Sequence, residues 1–313
     1  MGKYINPYTD FGFKKLFGSE LNKDLLIGFL NALFEEAKQL PDDKILDVKY
    51  LNPEQLGRSP QDRKAVFDVL CETEKGTKFH LEMQNVFQEF FIDRTIYYST
   101  FSIQNMAKKD SAETGRWDFQ LQRLYSVNLL NFTFKEKKQK DAYGQDTKEI
   151  VEEISEDDLM HCVMLKNIKT NKVFFDKLVF IYLEMPKFKK TIEECKSLYD
   201  KWLFVLCNLT RLLERPKELQ ERVFKKLFEQ AEIAKYTPEE YEAYEDSLKN
   251  LWDIANGMDA AEKKGIAKGI AKGKAEGEKS KAIDMARLMK ADGEPLEKIA
   301  KYTGLTIDEI KHL

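Results

Sequence analysis

Apolar side chains recur at helical spacing through residues 10–36, as Phe11, Phe13, Leu16 and Phe17, then Leu25, Leu26, Phe29, Leu30 and Leu33, which predicts helix there. The period then falls to two. Residues 45–51 alternate as a strand, and residues 52–62, broken by Pro53, Gly57 and Pro60, read as loop. Two further alternating runs, residues 64–71 and 78–84, flank the turn residues Glu74-Lys75-Gly76 and predict a β-hairpin. Helical spacing returns over residues 89–108, with Phe90, Ile96, Tyr97, Phe101 and Ile103 available for packing. Strands are expected over residues 123–132, 160–165 and 177–184, with the polar stretch 135–153 as an exposed excursion. Beyond Pro186 the strand pattern stops, and residues 191–213 and 216–235 read as helices. Thr237-Pro238-Glu239-Glu240 combines a capping box with proline at the first helical position, so another helix starts there and is expected to run to about Asn256. The order predicts an α/β protein, a mixed sheet flanked by helices, with an all-helical C-terminal half.

The loop length inside the hairpin decides which side chains meet. A two-residue loop at Lys75-Gly76 would send Asp68 and Glu82 to opposite faces. A three-residue loop ending in a left-handed Gly76 pairs Thr73 with Thr77, and therefore Asp68 with Glu82. That register is the expectation here, and it sets two carboxylates and the Gln84 amide on one face. From the residues alone two readings of that face stay open. Strand carboxylates are commonly solvated charges. Both strands here are strongly apolar, however, and like charges opposed in a buried sheet repel. A divalent cation would relieve the repulsion, and hard oxygen ligands suit Mg²⁺ or Mn²⁺.

Later in the chain, glycine recurs every fourth residue at Gly265, Gly269, Gly273 and Gly277, within a segment (262–281) holding seven lysines and three glutamates. Such spacing lines one helical face, at about 1 kcal/mol per glycine. It suits a helical linker or a helix–helix dimer seam. Residues 282–313 outline three short helices, the last capped by Thr306 with Glu309. The outline is that of a helix-turn-helix, but Asp308 and Glu309 at its leading end would repel phosphates. Protein contact is therefore at least as apt for this tail as DNA contact.

Composition narrows the classes. There is no apolar run near the ~20 residues a membrane span needs, and no charged leader followed by an apolar stretch, so a cytoplasmic protein without a membrane partner is expected. Cys71, Cys162, Cys195 and Cys207 lack metal-ligand spacing and are expected as reduced thiols, with neither disulfides nor zinc. His80 shares the parity of Glu82, yet a strand histidine is more often structural than a ligand. The net charge of −3 and pI near 5.9 do not describe a protein that coats nucleic acid, although basic residues lining one groove would suffice to bind it locally.

The chain resembles a known family along nearly its whole length. Thr9-Asp10-Phe11-Gly12-Phe13-Lys14-Lys15-Leu16-Phe17-Gly18 is similar to the opening motif of the recombination-promoting nuclease/transposase family of the PD-(D/E)xK superfamily. The helix from Asp24 to Leu33, Leu124-Tyr125-Ser126-Val127-Asn128-Leu129-Leu130, Leu183-Glu184-Met185-Pro186-Lys187-Phe188 and Asp200-Lys201-Trp202 match later landmarks in order and spacing. Asp68 and Glu82-Met83-Gln84 fall at the family's metal motif, and Arg94 and Tyr98 in its next helix. The resemblance implies a nuclease-like core over residues 1–185, a helical domain over 186–258 packed on it, a linker over 259–281 and a helical tail over 282–313. It implies a Mg²⁺- or Mn²⁺-dependent DNA endonuclease. Asp68, Glu82 and the Met83 carbonyl would hold the metal, with Asp10 as a helix-borne acid at the edge of the site.

Lysine is the superfamily's usual last motif residue, and Gln84 replaces it without its charge. Lys14, Lys15 and Arg94 are the candidate compensating cations and DNA contacts, and Gln84→Lys is expected to retain activity if the amide merely orients water. DNA is the expected partner, with a homo-oligomer through the helical half as a further possibility. The alternative to an enzyme is a nuclease-like fold that binds DNA or protein with little or no catalysis.

Overall fold

The computed structural model describes residues 2–38, 44–55, 64–106, 120–134 and 158–313. The expected 135–153 excursion lies outside them. The chain forms two compact units, Met1–Leu251 and Trp252–Leu313. In the first, a six-stranded sheet runs in the order β1-β4-β5-β6-β8-β7. Its strands are β1 (Lys49–Tyr50), β4 (Val69–Glu72), β5 (Lys78–Gln84), β6 (Leu124–Leu130), β7 (Met160–Lys166) and β8 (Val173–Glu184), and β2 (Glu54–Gln55) and β3 (Ala65–Val66) form a separate ribbon. β5, β6 and β8 are parallel to one another, while β1/β4, β4/β5 and β7/β8 are antiparallel. This is the mixed sheet with flanking helices that the hydrophobic pattern predicts.

One face of the sheet is apolar. Phe79, Leu81, Tyr125, Val127, Leu129, Val179, Ile181 and Leu183 enter the main core. There they meet α1 (Asp10–Phe17), α2 (Lys23–Ala37), α4 (Leu198–Asn208) and α5 (Arg222–Ala231). Trp202 on α4 is almost fully buried, against Phe17, Phe29 and Phe224.

The opposite face mixes apolar side chains such as Leu70, Leu130 and Phe180 with a cluster of polar ones, and that cluster marks the candidate site. Strand pairing aligns His80 with Ser126, Glu82 with Asn128, and Asn128 with Tyr182. Such groups are costly to bury unless bonded, and α3 (Phe91–Met106) covers them with small polar side chains. Ser102 Oγ lies 2.6 Å from His80 Nε2, Thr95 Oγ1 lies 2.8 Å from the Tyr182 hydroxyl, and Ser99 is also buried.

Several elements differ from the sequence expectation, each for a local reason. The single helix over 10–36 is two, because Gly18 ends α1 and a 3₁₀ turn at Glu20–Asn22 precedes α2. The strand over 45–51 pairs only at Lys49 and Tyr50. The 64–71 strand breaks at Phe67-Asp68, so its first half pairs with Glu54-Gln55 and only its second half joins the main sheet. The helix from Pro238 does not stop near Asn256 but continues to Ala291 as α6, through the glycine repeat. A Cβ built at Gly265, Gly269, Gly273 or Gly277 would meet nothing within 4 Å, so no described backbone packs on that stripe. In the second unit, α7 (Leu296–Thr303) and α8 (Ile307–Lys311) close a small core of Ala286, Ile299, Leu305 and Ile310, with the expected Thr306/Glu309 capping box.

The start of α1 rests on one close backbone approach. The Thr9 side chain caps the helix by accepting from the Gly12 N–H, and a Cβ on Gly12 would fall 2.1 Å from the Asn6 carbonyl oxygen. Gly12→Ala is therefore expected to lower stability by about 1–3 kcal/mol, read as an earlier urea midpoint at unchanged slope, and to disturb the placement of Asp10 and Lys14.

Candidate active site

The hairpin closes as its glycine predicts. Gly76 has φ of +79°, its N–H donates to the Thr73 carbonyl at 2.9 Å, and the Thr73 N–H donates to Thr77 at 2.9 Å. The ladder runs to Val69 opposite Leu81, which brings Asp68 up to Glu82. β4 begins at Val69, and Asp68 lies immediately before it. Its Oδ2 accepts the Met83 N–H at 2.8 Å. In a strand the N–H and C=O of one residue point to the same side. The Met83 carbonyl therefore faces the same open edge, where no β4 donor remains to take it.

Glu82 is half-buried as a residue, but its Oε1 is fully covered and, among the described residues, has no hydrogen-bond partner. Burial and then the Asp68 charge push its pKa up to about 8, against the weaker opposing influence of Arg94, the Asp68 backbone N–H and Lys14. Asp68 is also raised, by burial first and by the Asp10 charge, while the Met83 N–H, Lys14 and Arg94 act to lower it. Two crowded carboxylates, one of them with an unpartnered oxygen among the described residues, beside the Met83 carbonyl fit a hard divalent cation. Among the described residues no three His, Cys, Asp or Glu side chains converge; the candidate donors are these two carboxylates and the neighbouring main chain.

The surrounding cations sort themselves. Arg94 on α3 donates from Nη2 to Gln84 Oε1 at 2.5 Å and from Nη1 to Gln88 Oε1 at 2.7 Å. Its guanidinium lies over the Phe91 and Tyr98 rings, 5.2 and 5.8 Å from their centroids. Lys14 pairs with Asp10 at 2.6 Å, both solvent-exposed, and both act electrostatically on Asp68. Lys15 instead pairs with Glu240 and lies over the Tyr236 ring. The Asn85 amide donates to the Tyr8 carbonyl at 2.6 Å, which ties the end of β5 to the segment leading into α1.

Gln84 is committed at both ends, because its Nε2 donates to the Val86 carbonyl at 2.7 Å while its Oε1 holds Arg94. This removes the ground for expecting Gln84→Lys to retain activity. An ammonium there would meet the guanidinium and lose the acceptor that positions it.

Other buried polar groups near the candidate site were not singled out from the sequence. Ser126 and Asn128 stand at alternate positions of an otherwise apolar, fully buried strand, and that parity was the available signal. Glu184, fully buried at the end of β8, is bonded to His161 at 2.6 Å, Lys187 at 2.8 Å and the Phe134 N–H at 2.7 Å. His80 is held neutral by burial, its pKa down to about 3, and serves to pin α3.

A family model described as PD-(D/E)XK nuclease family transposase matches residues 7–261. No curated protein and no solved structure matches the chain.

The raised pKa of Glu82 makes a prediction about the metal-free protein. The folded state holds a proton on Glu82 that the unfolded chain has released between its ordinary value of 4.5 and about 8. Stability from this group is thus present at low pH and lost as pH rises through that window. Glu82→Gln is expected to raise the melting temperature at pH 8.5 in chelator, with the gain vanishing below pH 5. Equal shifts at both pH values in thermal melts would contradict the assignment.

Proposed function

The chain belongs to the PD-(D/E)XK nuclease family of transposases, and on that footing we propose that it is a divalent-metal-dependent DNA endonuclease, hydrolysing phosphodiester bonds in recombination, element mobility or defence against foreign DNA. The observation that carries this reading is the buried carboxylate pair, in which Glu82 Oε1 lacks a partner among the described residues and Asp68 stands just before β4. Such a pair is unfavourable without a cation.

Asp68, Glu82 and the Met83 carbonyl would hold Mg²⁺ or Mn²⁺. Bound there, the ion would polarise a scissile phosphate and lower the pKa of a water for in-line attack.

The remaining work falls to this chain's own groups. Arg94 supplies the fixed positive charge that the superfamily's lysine would bring. Gln84 holds Arg94 on one side, and Phe91 and Tyr98 support its plane. Only part of a guanidinium's five-donor fork is used by Gln84 and Gln88, which leaves N–H groups for phosphate oxygens. Lys14 adds a second, mobile charge at the rim. Asp10 restrains Lys14 through their ion pair and keeps it near Asp68.

Purified protein is expected to nick supercoiled plasmid in Mg²⁺ or Mn²⁺ and not in chelator. Asp68→Ala and Glu82→Ala should abolish the activity while remaining folded, since each removes one of two repelling charges. Arg94→Ala should slow cleavage at saturating metal by on the order of 100-fold, like loss of one transition-state donor, and Gln84→Lys should also slow it. Cleavage by soluble Asp68→Ala equal to the parent, after controls for contaminating nucleases, refutes the reading. DNA binding without cleavage by the parent would leave a nuclease-like binding module instead.

A further inference from the structure

Behind the carboxylate pair, between the sheet and α3, lies a cavity of about 10 Å³ lined by Phe67, His80, Glu82, Tyr98, Ser126 and Asn128 among others. Two of the buried side-chain oxygens without partners, Glu82 Oε1 and Asn128 Oδ1, belong to residues that line it. They are register partners on adjacent parallel strands, so their side chains stand side by side on the covered face.

The orientation of the Asn128 amide is settled by its surroundings. Its Nδ2 donates to the Ser126 carbonyl at 3.1 Å, to Ser126 Oγ at 3.1 Å and toward the Ile181 carbonyl at 3.3 Å. The oxygen therefore points away from them as an acceptor. A hydroxyl that accepts one hydrogen bond still has a proton to donate, and Ser126 Oγ is such a hydroxyl at the cavity wall. Two acceptors and one donor around a space of this size match the needs of one buried water, which typically makes about three hydrogen bonds and needs roughly 10–15 Å³.

We propose that this cavity holds a single structural water that donates to Glu82 Oε1 and Asn128 Oδ1 and accepts from the Ser126 hydroxyl, making Asn128 and Ser126 positioning residues for Glu82. The water fixes one carboxylate oxygen so that the other is presented toward Asp68. Asn128 thereby acts on the metal site without touching it. The role assigned to Asn128 in metal binding rests on the proposed function above; the water itself does not.

Two measurements on the full chain test this. The first is a crystal structure of metal-free protein at a resolution that reveals buried waters. A peak within hydrogen-bonding distance of Glu82 Oε1 and Asn128 Oδ1 is expected, and an empty cavity overturns the proposal. The second is calorimetric titration of Mn²⁺ without DNA. Asn128→Leu, which fills the space with an apolar group, is expected to weaken Mn²⁺ by about tenfold or more, the usual cost of losing a partner of a metal ligand. Ser126→Ala should weaken it less. Unchanged Mn²⁺ affinity in a folded Asn128→Leu overturns the positioning role. If that variant does not fold, the density and Ser126→Ala decide. Parent protein that binds no Mn²⁺ refutes the metal reading and with it the positioning role, while the water stands or falls on its density.

Discussion

The site depends on a repulsion that the fold creates and leaves unrelieved. Two carboxylates are brought together just before β4, one of them with an oxygen that is covered and, among the described residues, unbonded. Burial raises both pKa values, helped at Glu82 by the Asp68 charge and at Asp68 by the Asp10 charge, so the metal-free protein favours a proton at the position proposed for the cation. Everything nearby is arranged around that debt. Helix α3, packed on this face of the sheet through Ser102 and Thr95, leaves Glu82 Oε1 covered. The break at Phe67-Asp68 frees the Met83 carbonyl, and the Asn85–Tyr8 bond keeps α1 close enough for Lys14 and Asp10 to act on Asp68.

Arg94 and Gln84 form the second constraint. An uncharged residue at the usual lysine position looks like a loss of catalytic charge when the motif is read linearly. In three dimensions the amide is the anchor of a guanidinium carried by the next helix. On the proposed reading the charge has moved from strand to helix, and the glutamine is what aims it. Cation–π contacts with Phe91 and Tyr98, worth about 0.5–1 kcal/mol each when exposed, restrict the guanidinium further. A planar, permanently charged group is suited to phosphate in a way that a flexible ammonium is not.

Much of this was legible in the sequence, and the reasons are physical. Odd loop length with a left-handed glycine fixes strand parity, so the meeting of Asp68 and Glu82 followed from Gly76. Helical and alternating periods located the sheet strands and α1–α5, because those elements bury one face. The continuity of α6 was not legible: residues 252–281 are exposed all round and so carry no burial pattern to follow into the apolar positions of 282–289. Which of Lys14, Lys15 and Arg94 serves the site was equally hidden, since a long cation's direction is set by partners such as Glu240 that lie more than 200 residues away in the chain. Ser126 and Asn128 stood in plain view as polar residues at alternate positions of an apolar strand, yet parity alone cannot reveal that their pairing with His80 and Glu82 puts them on the site face.

The central claim is that Asp68 and Glu82 jointly hold a divalent ion. Anomalous diffraction from crystals soaked in Mn²⁺ tests it most directly. The account predicts a single strong peak contacting carboxylate oxygens of both residues and the Met83 carbonyl. A well-ordered Asp68 and Glu82 with no peak between them at saturating Mn²⁺, or a peak held elsewhere in the chain, would contradict it.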